Sequence, residues 1–163
     1  MPELTPLDEK LGEVLGLAQA AQVATQHVRS LEGADAFGAD LERMHEQAAE
    51  TERRTDAIVD AREGRKTAIR DKARDTKGEG ADMMKIYLGG EEEALDGFEF
   101  LSMAEAGELC HWEIVDAMAG RTGESEVADV AQWALEVQRR HVETVRKAAL
   151  ALAAEEVAET ASS

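Results

Sequence analysis

The stretch Phe98-Glu99-Phe100-Leu101-Ser102-Met103-Ala104-Glu105-Ala106-Gly107-Glu108-Leu109-Cys110-His111-Trp112-Glu113-Ile114-Val115 carries its large apolar residues at a helical period. Leu101, Ala104, Trp112, Val115 and Met118 fall on one stripe, the pattern of a long amphipathic helix. Glu105, Glu108 and His111 fall within the same stripe, with Glu108 near its centre. A solvated helix carries such groups on its opposite face. Burying them is costly unless they pair or bind a metal. The interior of this protein is therefore expected to want carboxylate and imidazole.

Three further amphipathic segments surround this one. Residues 7–31 place Leu11, Val14, Ala18, Ala21, Thr25 and Val28 on one side, and Thr5 followed by Pro6 is a helix start signal. Residues 37–62 bury Phe37, Leu41, Met44, Ala48, Thr55 and Val59. The segment around the quoted stretch spans about residues 91–119, ending at Gly120. The last runs from about 125 to 157 with Val127, Val130, Ala134, Val137, Val145, Ala148 and Leu152 in a narrow stripe, and residues 158–163 read as a frayed tail. Residues 64–90 hold Gly64, a charged run, Lys77-Gly78-Glu79-Gly80 and Gly89-Gly90, and read as an irregular crossover with short helical turns. Two hairpins joined by one long crossover predict a single all-α domain, an antiparallel four-helix bundle.

Composition agrees with helices. Aromatics are 4% of residues against 44% apolar, so the core is built from Ala, Leu, Val and Met. A formal net charge of −17 argues against nucleic acid and anionic membrane as partners, since phosphate needs clustered Lys and Arg. The only basic run, Arg62 to Arg74, is diluted by its own acids. The lone Cys110 leaves no internal disulfide and points to a reducing compartment. The N-terminus carries no signal-peptide pattern, and no apolar run approaches the roughly 20 residues that span a bilayer. A cytoplasmic location is the expectation.

Imidazole recurs on the inward side of the other helices. Glu42-Arg43-Met44-His45 sets a carboxylate and a histidine one turn apart, able to grip one metal ion. His141 sits at the centre of the last stripe, with Gln138 three residues before it where a carboxylate would complete the same spacing. The first segment offers only Gln22 and Thr25 inward.

With those residues the chain resembles the ferritin-like superfamily, in particular rubrerythrins, bacterioferritins and small stress-associated ferritin-like proteins. In that superfamily each hairpin supplies one Glu and one Glu-x-x-His to a pair of iron atoms. The resemblance assigns Glu42 and His45 to the first Glu-x-x-His, Glu105 or Glu108 to the third-helix Glu, and His141 to the second imidazole. It departs where Gln22 and Gln138 stand in place of glutamates and where His111 is extra. What it implies is a metal-binding protein with oxidase, peroxidase or metal-handling activity. Glu42, His45, Glu105, Glu108, His111 and His141 would hold one or two ions of iron or manganese. The alternative is a metal-free helical bundle acting as a structural or interaction module. Phe98, Phe100, Met103, Leu109 and Ile114 cover more of the quoted helix than one core requires, which predicts a homodimer or larger assembly.

Overall fold

Thr5 and Pro6 begin the first helix as their chemistry requires. The Thr5 hydroxyl accepts from Asp8 N and the Asp8 carboxylate accepts from Thr5 N, each at 3.1 Å, closing a capping box with proline in the first turn. The computed structural model describes residues 3–90 and 92–162. Among them are five α-helices: α1 Pro6–Arg29, α2 Gly38–Asp60, α3 Lys66–Leu88, α4 Ala94–Thr122 and α5 Ser125–Ser162, with a 3-10 turn Asp35–Phe37 before α2. Their only β-pairing is an isolated bridge of Glu32 with Glu93, where Ala94 N donates to Glu32 O at 2.9 Å. No helix among the described residues is long and apolar enough to cross a membrane.

The all-helical expectation stands, and the irregular crossover is corrected. Residues 66–88 form the continuous helix α3, docked against α1. Gly64, at φ +80°, makes the turn between α2 and α3 in a backbone region that favours glycine. The docking depends on small residues. A Cβ on Gly16 would lie 2.4 Å from the Ala73 carbonyl oxygen, and one on Gly12 would lie 2.9 Å from that of Ile69. Gly80, which reads as a breaker in sequence, lies against Ala20. Ion pairs tie the same helix to α2: Arg70 forks onto both Asp56 oxygens at 3.0 and 3.1 Å, and reaches Asp60 at 3.3 Å. Asp56 is the main cause holding the Arg70 guanidinium above its ordinary pKa, while Arg70 holds the Asp60 carboxyl below its own. The one basic run of the chain is thus matched to acids of its neighbours.

Two ends also differ from expectation. α4 continues past Gly120 to Thr122 and is capped by Gly123 at φ +71°. α5 continues to Ser162 through a segment of Ala and Glu that favours helix. The expected start of the long helix at Glu91 and the last tail residue, Ser163, lie outside the described residues.

α4 and α5 pair extensively, α1 packs on α2, α3 and α4, and α2 touches α5. Their apolar faces form two core clusters. One gathers Leu11, Leu15, Val59, Ile69, Trp112 and Ala131, and the other Val28, Leu41, Met44, Phe98, Leu101 and Val145. Between these levels α4 passes through Glu105 and Glu108, and α5 through Gln138 and His141, all buried. The apolar excess on α4 that suggested a partner chain is met in part by α3. Phe100 is buried, and its ring stands 6.0 Å from that of Tyr87.

Candidate functional site

The polar level is held by facing turns of α4 and α5, with α2 reaching in from the side. Glu105 Oε2 accepts from Gln138 Nε2 at 2.8 Å and lies 3.2 Å from His141 Nδ1. His141 Nε2 lies 2.7 Å from Gln47 Oε1 of α2. Gln138 Nε2 also stands 3.4 Å from the Glu105 carbonyl oxygen. The chain Gln138–Glu105–His141–Gln47 therefore links three helices and leaves both imidazole nitrogens engaged. Gln47 is the member the sequence did not single out. It lies beside the apolar stripe of Met44 and Ala48, and a glutamine there reads as a boundary residue.

Glu108 is buried to the same depth one turn further along α4. Among the described residues its carboxyl forms no hydrogen bond or ion pair, and burial followed by the charge of Glu105 raises its pKa well above the ordinary carboxylate value. It lines a cavity of about 260 Å³ between α1, α3 and α4. The walls are almost wholly apolar: Leu17, Ala20, Ala21, Ala24, Met84 and Leu101 lie among the lining residues, and Val23, Met83 and Met103 stand half exposed at its rim. Lys77, Glu105, Glu108 and His111 are the titratable lining groups, and α1 contributes none.

The remaining expected ligands face elsewhere. His111 Nδ1 lies 2.8 Å from the Gly107 carbonyl of its own helix, and its Nε2 lies 3.4 Å from Glu13 of α1. His45 is held on α1, with Nδ1 3.0 Å from the Gln22 carbonyl and 3.4 Å from Thr25 Oγ1. Glu42 is exposed and pairs with Arg29 at 3.2 Å. Cys110 is exposed and free.

Of the six residues read as metal ligands, the structure brings Glu105 and His141 into contact and sets Glu108 beside them. His111, His45 and Glu42 each meet a different partner. Among the described residues no three His, Cys, Asp or Glu side chains gather into a group that could hold a metal ion. Glu105 Oε2 and both nitrogens of His141 are already engaged by amides and by each other, and burial followed by the charge of Glu105 raises the pKa of Glu108. As arranged, these donors are spread over separate partners rather than gathered at one point. The chemistry they do offer is a fixed polar network and, one turn away, an unpartnered carboxyl at the wall of an apolar cavity. No protein-family model, curated protein or solved structure matches this chain, so the functional reading rests on that geometry.

Proposed function

We propose that this protein is a helical binding module that takes a small, mostly apolar molecule into the cavity between α1, α3 and α4. The observation that carries this reading is Glu108, buried at 4% exposure, without a protein partner, on the lining of a cavity that is otherwise apolar. A buried polar group left unpaired costs on the order of 1–3 kcal/mol, so its retention calls for a ligand that completes it. Concave apolar space with one or two placed polar groups is the general form of a small-molecule site. An apolar cavity of about 150 Å³ accommodates benzene, so about 260 Å³ suits a molecule of about ten non-hydrogen atoms.

Gly107 supplies the test. It lines the cavity, and a Cβ built there meets nothing within 4 Å, so Gly107→Leu adds bulk at the lining with no clash at its Cβ. Replacing a mid-helix glycine also favours the helix. Ethylbenzene titrated into the full chain should bind and raise the melting temperature of wild type, and do neither in the variant. Ethylbenzene that neither binds wild type nor raises its melting temperature refutes the proposal. Manganese(II) or iron(II) that stabilises wild type but not Glu108→Gln would favour the metal-binding, ferritin-like reading instead.

A further inference from the structure

Resting on the cavity as a binding site, we infer that its occupant is a neutral molecule whose hydrogen-bond acceptor faces the Glu108 carboxyl, with its apolar body against α1 and α3. The polar lining groups differ in what they have left to offer. Glu105 is committed to Gln138 and His141 at 2.8 and 3.2 Å. His111 is committed to the Gly107 carbonyl at 2.8 Å and faces Glu13. Lys77 lies at the solvent-exposed side of the lining. Among the described residues Glu108 is the lining acid with neither carboxyl oxygen engaged, whereas Glu105 is engaged through Oε2.

The neighbours of Glu108 decide the sign of the ligand. Glu105 lies one turn away on the same helix, and among the described residues no Lys or Arg pairs with Glu108. An anionic ligand would place a further negative charge beside these two carboxyls in a chain of net charge −17. A cationic amine would require Glu108 to ionise in an apolar wall beside Glu105, creating two buried carboxylates around one ammonium. A neutral acceptor requires neither. Burial and Glu105 both favour the protonated carboxyl, which is an O–H donor. A ketone, ester or ether oxygen takes that hydrogen bond while the rest of the molecule meets Ala20, Ala24 and Met84.

Three probes of nearly the same shape test the inference: ethylbenzene, acetophenone and 1-phenylethylamine, each titrated by calorimetry into the full chain. Wild type should bind the ketone roughly 3- to 10-fold more tightly than the hydrocarbon, the worth of one neutral hydrogen bond. Glu108→Gln, whose amide N–H also donates, should keep that preference. Glu108→Leu should lose it while still binding the hydrocarbon. Equal affinity for ketone and hydrocarbon in wild type overturns the inference and leaves the cavity reading intact. Tightest binding of the amine also overturns it and assigns a cationic ligand. Failure of all three to bind overturns the cavity reading and this inference with it.

Discussion

Asp8 and Glu108 are both acids sealed inside the fold, and their surroundings are opposite. Asp8 caps the start of α1 and receives two guanidiniums, Arg65 on Oδ2 and Arg62 Nε at 3.3 Å from Oδ1, with Arg62 also reaching Glu124 at 2.8 Å. That cluster ties the start of α1 to the α2–α3 and α4–α5 connections. Among the described residues Glu108 receives no hydrogen-bond or ion-pair partner, and it has a second acid for a neighbour. A buried charge that is matched from several sides holds a structure together, whereas an unmatched one costs stability and is retained for a task. Four variants sharpen or break this contrast.

The largest effect is expected at Asp8. Asp8→Ala removes the cap and leaves two guanidiniums facing an empty position, and should destabilise the protein by on the order of 3 kcal/mol or more in urea denaturation. A loss of under about 1 kcal/mol would mean that the cluster is solvated and unlike a buried pair. Next comes the seam beside the cavity. Gly16→Ala forces a methyl against the Ala73 carbonyl, 2.4 Å from an ideal Cβ, and should cost about 2 kcal/mol. Unchanged stability would show that α3 is not packed on α1 at this distance.

Glu108 should behave in the opposite sense. Its pKa is raised in the folded protein, so folding holds a proton that the unfolded chain releases above the ordinary value of 4.5. Stability should therefore fall as pH rises from there towards the folded-state value, and Glu108→Gln should remove that fall. At neutral pH the variant should be more stable than wild type by on the order of 1 kcal/mol or more in chemical denaturation. A less stable variant whose pH profile parallels that of wild type would break the contrast. The smallest effect is expected at Glu50, paired like Asp8 but on the surface. Arg53, then Arg54, hold its pKa down to about 2 through hydrogen bonds. A lowered carboxylate pKa adds stability above the ordinary value, lost as pH falls towards about 2, but solvent screens an exposed pair. Glu50→Gln should leave the neutral-pH melting temperature unchanged in 0.15 M salt, and a clear drop would show coupling to a wider ionic network.

The sequence by itself determined that the chain is helical, and placed α1, α2, α4 and α5 to within a few residues. Local forces carry that information: the capping box at Thr5, the helical spacing of Leu101, Trp112 and Val115, and a composition poor in β-branched and aromatic residues. It also placed Glu105, Glu108 and His141 inside, because a polar residue within an apolar stripe must be buried when the stripe is. It did not yield α3. Gly78, Gly80 and dense charge look like a broken connection when each residue is weighed by its own propensity. In the fold, glycines of α1 admit the neighbouring backbone, Gly80 admits Ala20, and Arg70 finds Asp56.

Tertiary structure alone decided what the buried acids face. Spacing along a helix fixes which residues share a side, but not which group stands opposite. Thus His45 and Glu42, one turn apart as a ligand pair would be, end on the Gln22 carbonyl and on Arg29. Gln47, unremarkable in sequence, closes the network on His141. The cavity exists only because a fifth helix sets Met83 and Met84 over α1 and α4. Its walls come from residues up to about ninety positions apart, and no local pattern encodes a space between helices.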